Sequence, residues 1–117
     1  MDAYLINPYL KNFQIVEHDG DYKQIQRLIR AHHFDLARLP NGDAIYVDDE
    51  GLLNNPTNFF VHKDYPNPLA GMGLVLGVDY ETGDSTSPKM SIEELMPKII
   101  FKTISEVRED LSIVEYQ

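Results

Sequence analysis

The chain has 117 residues and no cysteine, and its 19 acidic residues against 10 basic ones give a formal net charge of −9 at pH 7. This length fits one domain, and a hydrophobic share of 43% is typical of globular proteins rather than of disordered chains. The lack of cysteine excludes disulfides and thiolate chemistry, and the acidic excess argues against direct binding of nucleic acid or of an anionic membrane surface by charge.

The beginning of the chain predicts a pair of strands followed by a helix. Residues 2–6 and 13–17 are β-rich and are separated by an Asn-Pro turn signal, so they predict an antiparallel pair. Asp21 is a good N-cap and has Gln24 in the capping-box position. Apolar residues then recur at helical spacing, which predicts an amphipathic helix of about three turns that ends near residues 31–33.

A hairpin is predicted next. Residues 34–39 and 44–48 are strand-like and flank the pair Asn41-Gly42. Asn-Gly tolerates the positive φ angles of a type I′ turn, so the two segments should pair as antiparallel strands.

The second half of the chain predicts a central strand, a short helix and outer elements. The aliphatic run from Met72 to Val78 suits a strand buried on both faces, where glycine marks a bulge or a close backbone contact. Ser91, with Glu94 in the capping-box position, starts a helix that Pro97 limits to about two turns. Two further strands are predicted, over residues 58–62 and 99–104. Residues 107–116 fit either a short helix or a fraying tail.

These elements predict an α+β fold: a single small domain over residues 1–105, mostly antiparallel sheet with two short helices, followed by a C-terminal extension over residues 106–117. The amino-terminal residues lack the basic and apolar regions of a signal peptide. No apolar run approaches the length that spans a bilayer. A cytoplasmic protein is therefore expected.

The stretch from residue 52 to residue 71 is the feature with the strongest functional interest. It is long, aromatic and rich in Asn and Pro, and it is flanked by acids. A loop of this length is functional or disordered, and this one is too apolar for disorder. It is predicted either to cover the open end of the core or to form a recognition surface. The predicted binding residues lie in it and just before it: Asp48, Asp49, Glu50, Asn55, Asn58, Phe59, Phe60 and Tyr65.

No catalytic residue, metal or cofactor is predicted. Asp43 and residues 48–50 could offer oxygen ligands to a cation, and residues 79–84 carry carboxylates at alternate positions, but without the spacing of an EF-hand. Solvated turn residues are the favoured interpretation of both segments. The four histidines lack metal-ligand spacing, and no nucleophile motif is present.

A series of short motifs follows in the middle of the chain: Arg38-Leu39-Pro40-Asn41-Gly42-Asp43, Tyr46-Val47-Asp48-Asp49-Glu50-Gly51 and Asn55-Pro56. Together with the Gly-rich strand over residues 71–77 and the acidic loop over residues 79–84, these motifs resemble the domain-of-unknown-function family three-eight-four-six, an uncharacterised family of small bacterial and bacteriophage proteins. The resemblance covers roughly residues 2–101. It implies an accessory protein of phages or mobile elements without an established reaction, so no catalytic residue is carried over.

Three functions stay open at this point. The first is an acidic protein that binds a host protein, on which its surface could imitate the charge of nucleic acid. The second is a binding domain for a nucleotide-like small molecule, whose base would stack on the loop aromatics. The third is an enzyme with a carboxylate-bound metal on Asp48, Asp49, Asp79 and Asp84, although a role without catalysis is favoured. Edge strands also leave room for a homodimer that buries loop surface such as Phe59 and Phe60.

Overall fold

Two antiparallel sheets lie face to face, and a helix covers the outer side of each. The structure, a computed structural model, describes residues 1–53 and 56–115, with side-chain surroundings up to residue 110. The elements in chain order are β1 (Asp2–Asn7), β2 (Asn12–Glu17), α1 (Tyr22–Ile29), β3 (Phe34–Arg38), β4 (Ala44–Asp48), β5 (Asn58–His62), β6 (Leu69–Ala70), β7 (Gly73–Val78), β8 (Ser85–Thr86), α2 (Ile92–Leu95), β9 (Ile99–Thr103) and α3 (Ile104–Glu115). Short 3-10 turns cover Gly51–Leu53 and Met96–Lys98. The predicted α+β class is confirmed.

The larger sheet has the strand order β2-β1-β7-β4-β3, with β8 paired to β7, and the smaller sheet has the order β6-β5-β9. All recorded pairings are antiparallel, including the predicted pairs β1–β2 and β3–β4. The predicted central strand is β7, which lies between β1 and β4. Two predicted outer strands, β5 and β9, pair with each other and form a second sheet rather than extending the first.

Alternation along the strands of the larger sheet divides the core into two layers. Tyr4 and Ile45 point toward the smaller sheet, where they pack with Phe60. Leu5 and Leu74 point the other way and pack against the buried face of α1. The outer side of the smaller sheet packs against α3 through Phe59, Ala70, Ile104 and Val107.

Position 73 on β7 requires glycine because the Phe60 ring fills the space that a side chain there would need. A Cβ at this position would lie 2.6 Å from Cζ of Phe60 and 3.1 Å from Cγ2 of Ile45. Phe60 and Ile45 are fully buried. The close contact predicted for a glycine in this strand is therefore made between the two sheets.

Helix α1 begins where it is predicted and ends earlier. The Asp21 side chain accepts a hydrogen bond from the backbone N–H of Lys23 at 3.1 Å. Arg30 takes the left-handed conformation, with φ 58°, and closes the helix after Ile29 instead of near residues 31–33. Gln24 does not complete a capping box, because its side-chain oxygen accepts from the backbone N–H of Asp19.

The hairpin turn differs from the predicted type I′. Gly42 has a positive φ of 94°. Among the described residues other than glycine, only Lys11 and Arg30 have a positive φ. Asn41 therefore does not take the left-handed conformation that a type I′ turn demands of it. Pro40 fixes its own φ near −65° and favours a type I turn before the glycine, and the loop closes with the N–H of Leu39 donating to the Asp43 carbonyl at 2.9 Å.

The chain after β7 contains the predicted short helix and one more. At α2 the Ser91 and Glu94 capping box is present as predicted. Residues 107–115 belong to α3, so the helix is the correct one of the two alternatives left open for this segment. This helix starts at Ile104, just before the predicted domain boundary at residue 105. No helix in the described part of the chain is long and apolar enough to cross a membrane.

Candidate functional site

A groove with a volume of about 750 Å³ lies between β3 and β4, the segment that joins β5 to β6, and α3. Its floor is apolar and is formed by Ala37, Val47, Phe59, Leu69, Ala70, Ile104 and Val107. Leu36 also lines the groove, although its side chain packs in the layer against α1. Tyr65, Pro68 and Leu52 complete the walls. A cavity of this size is within the range of about 300–1,000 Å³ that is typical of ligand sites.

The walls of the groove are positioned by local hydrogen bonds. Thr103 caps α3: its hydroxyl accepts from the N–H of Glu106 at 3.3 Å, and its own N–H donates to Oε1 of Glu106 at 3.1 Å. These bonds hold the pKa of the Glu106 carboxyl below its ordinary value, and the helix they start carries Val107 and Arg108 to the groove. On the opposite wall, a turn in which the N–H of Tyr65 donates to the His62 carbonyl at 3.0 Å places the tyrosine ring.

The rim of the groove is acidic. Asp35, Asp48 and Asp49 line it, and Arg108 is the one basic residue among the described residues of the lining. Asp35 and Asp49 are exposed, and neither belongs to an ion pair within the described part of the chain. Asp48 is half-buried, and its carboxylate accepts from the N–H of Glu50 at 2.9 Å. The groove therefore combines an apolar floor with a rim of negative charge.

Four of the eight predicted binding residues line this groove: Asp48, Asp49, Phe59 and Tyr65. Asn55 lies outside the described residues. Glu50 is exposed but does not belong to the lining. Asn58 does not line the groove either, since its side-chain amide donates to the Pro8 carbonyl at 3.4 Å.

Residues 58–62 form a strand as predicted, but the expectation that Phe59 and Phe60 present exposed apolar surface is wrong. Both are in β5, with 1% and 0% of their surface exposed. Phe60 points between the two sheets, so it is not available to a ligand or to a second copy of the chain. Phe59 points the other way, toward α3, and contributes to the groove floor.

Asp43 is a structural residue and not a solvated turn carboxylate. It is fully buried. Its oxygens accept from the N–H of Lys89 at 2.9 and 3.0 Å, from the N–H of Met90 at 3.1 Å and from the side-chain amide of Asn41 at 2.9 Å. This carboxylate therefore ties the β3–β4 turn to the segment before α2.

The two acidic segments do not meet, which contradicts the predicted metal site on Asp48, Asp49, Asp79 and Asp84. In the antiparallel pair of β4 and β7, Ala44 lies opposite Leu76. Asp48 and Asp79 consequently lie at opposite ends of the larger sheet, separated by a strand of about 13 Å. No group of three His, Cys, Asp or Glu residues that could hold a metal occurs among the described residues.

The family model "Domain of unknown function (DUF3846)" matches residues 1–99. The chain belongs to this family. The predicted resemblance is thereby confirmed. A curated relative, the "Uncharacterized protein y4iR" of Sinorhizobium fredii (strain NBRC 101917 / NGR234), is 33% identical over 91 residues, which are 76% of this chain and 53% of the relative. The chain thus spans about half the length of that relative. No solved structure matches the chain.

Part of the groove is formed by residues outside the segment that the family model matches. Its floor on β3, β4 and β5 lies within residues 1–99, whereas Ile104, Val107 and Arg108 follow the matched segment. Sequence reasoning missed this wall, although Thr103 and Glu106 form a capping-box pattern that predicts a helix start. Asp35 was missed because nothing local in the sequence distinguishes a strand residue at a groove rim from any other exposed carboxylate.

Proposed function

We propose that the protein binds a segment of a partner protein in the groove between β3, β4 and α3. An apolar side chain of the partner enters the floor, and a neighbouring lysine or arginine meets the carboxylates of the rim. The observation that carries this proposal is the coincidence of an apolar cavity of about 750 Å³ with three acidic rim residues. The family resemblance makes a host protein the first class of partner to test, and an origin in a phage or mobile element stays a prediction.

Floor and rim would contribute differently to binding. Burial of one leucine or phenylalanine side chain is worth about 1.5–3 kcal/mol, and the floor offers Val47, Leu69 and Val107 as contacts. Each exposed ion pair with Asp35 or Asp49 adds about 0.2–1 kcal/mol. The floor would therefore supply most of the affinity, while the rim selects basic over acidic neighbours and accelerates association.

A nucleotide-like ligand is the alternative, supported by Phe59 and Tyr65 in the groove lining. The half-buried Tyr65 ring offers a face for a base, Phe59 contributes apolar floor beneath it, and the volume suits a small molecule. The charges at the rim oppose it, since a phosphate would meet three carboxylates and only Arg108. A thermal-shift screen with nucleotides and cyclic dinucleotides tests this alternative, and a rise in melting temperature with ligand concentration would favour it over the partner segment.

Selection of binders from a random peptide library tests the proposal directly. We expect the enriched peptides to share an aromatic or aliphatic residue next to lysine or arginine. An Asp49→Lys variant should weaken their binding about threefold to tenfold, because it replaces an attraction at the rim by a repulsion. An Asp84→Lys variant is the matched control, since Asp84 is also exposed and lies in the loop at the other end of the larger sheet.

The outcomes separate clearly. Enriched peptides that share no basic residue, or that bind Asp49→Lys and the parent protein equally well, would contradict the proposed role of the rim. Equal weakening by both variants would mean that only the overall charge of the protein matters, which also contradicts a local site.

A further inference from the structure

Helix α1 presents a stripe of positive charge on a protein that is otherwise strongly acidic. Lys23, Arg27 and Arg30 follow one another at spacings of four and three residues, so they lie on one face of the helix. All three are exposed, while Ile25 and Ile29 point into the core. The net charge of −9 includes these three cations, so the remaining residues carry −12. We call Lys23, Arg27 and Arg30 the α1 stripe.

No residue of the α1 stripe belongs to an ion pair within the described part of the chain. The ion pairs within the described part of the chain join the amino terminus to Glu17, Lys98 to Asp64, and Lys102 to Asp110. None of them includes a stripe residue, although acids outnumber bases nearly two to one. Charges that a fold uses for its own stability would be expected beside their counter-charges.

Helix stability explains only part of the stripe. Arg27 lies in the last turn of α1 and Arg30 at its C-cap, where cations are favoured by the helix dipole. Lys23 lies in the first turn, two residues after the N-cap Asp21, where the same dipole disfavours a cation. A lysine that opposes the dipole and has no ion pair in the described part of the chain is accounted for better by an external anion.

The stripe also lines a shallow depression. Its three cations, together with Gln26, Ala31 and His32, surround a volume of about 450 Å³ at the surface. The Gln26 side chain donates to the His32 carbonyl, so two residues of the lining are joined by a hydrogen bond. The three cations thus border one common depression of the surface.

We propose that the α1 stripe binds a short acidic segment of a partner protein. The stripe is about 10 Å long, which matches about three residues of extended peptide. A longer polyanion such as nucleic acid would extend beyond the stripe over a protein whose other residues carry a charge of −12, and repulsion between such charges acts over a Debye length of about 8 Å. No residue of the α1 stripe lines the groove, and the proposal does not depend on what the groove binds.

An NMR titration of isotope-labelled protein with a capped tetra-glutamate peptide tests this proposal. We expect backbone amide shifts in α1 that saturate, that weaken as salt rises from about 50 mM to about 500 mM, and that a tetra-glutamine peptide does not cause. Arg27→Glu should weaken the affinity about threefold to tenfold. Lys63→Glu is the matched control, because Lys63 is exposed, belongs to no ion pair in the described part of the chain, and lies in the turn after β5.

Arg30→Gly keeps the test interpretable if charge reversal harms the fold. Arg30 has φ 58°, a conformation that glycine takes without strain, so this variant should fold and should still bind the peptide about twofold to fivefold more weakly. Three outcomes would overturn the proposal: no saturating shift in α1, equal weakening by Lys63→Glu, or tighter binding of an oligonucleotide of four thymidines than of tetra-glutamate.

Discussion

Replacement of Asp43 by asparagine should destabilise the fold even though the side chain keeps its size. The carboxylate is fully buried and accepts hydrogen bonds from two backbone N–H groups, those of Lys89 and Met90, and from the Asn41 amide. A hydrogen bond to a charged group is worth about 1.5–3 kcal/mol, against about 0.5–1.5 kcal/mol for a neutral one. The loss of charge on two backbone bonds therefore costs about 2 kcal/mol in the free energy of unfolding.

Replacement of Asp43 by alanine extends the same reasoning. The N–H groups of Lys89 and Met90 would be left without acceptors, at about 1–3 kcal/mol each, so we expect a loss of about 4 kcal/mol. Urea unfolding followed by circular dichroism measures both losses, with unchanged m-values if the change is one of stability alone. Asp84→Asn is the control and should change the free energy by less than about 0.5 kcal/mol, because Asp84 is exposed. A loss for Asp43→Asn no larger than that of the control would refute the structural role of this carboxylate.

Three further predictions concern stability. Gly73→Ala should cost about 1–3 kcal/mol because its Cβ would overlap Phe60; urea unfolding checks this, and no loss would contradict the close contact between the sheets. Burial lowers the pKa of His18 and His62 below the ordinary 6.5. As the pH drops, these histidines therefore take up protons in the unfolded chain at a higher pH than in the folded protein. The free energy of unfolding should consequently fall as the pH drops from about 7 through 6.5 and below. That decline should be smaller in a His62→Gln variant. Arg30→Gly should stabilise by about 0.5 kcal/mol, since relief of about 1–2 kcal/mol of left-handed crowding exceeds the added entropy of the unfolded chain, and a lower thermal midpoint would count against it.

Local signals in the sequence account for most single elements of the fold. The run of aliphatic residues at β7, the N-cap Asp21 and the Ser91 capping box act over a few residues, and the structure contains each of them. The helix α3 was equally accessible, because Thr103 and Glu106 carry the same capping pattern as Ser91 and Glu94. Chemistry within a short window is sufficient to predict such elements.

Pairing over long sequence distances explains what could not be predicted. Asn58 lies opposite Thr103 in the second sheet, and this pairing buries Phe59 and Phe60, which were expected to offer exposed surface for binding. Asp43 is buried for a similar reason, since its donors lie 46 and 47 residues further along the chain. The groove itself depends on such contacts, because its walls come from β3, β4, the segment after β5, and α3.

The most direct test of groove binding is a methyl NMR titration with a peptide selected from the random library. The account predicts saturating shifts of the methyl groups of Val47, Leu69 and Val107, which line the floor, and about threefold to tenfold weaker binding by Asp49→Lys. Saturating shifts confined to methyl groups elsewhere, with these three unchanged, would contradict it.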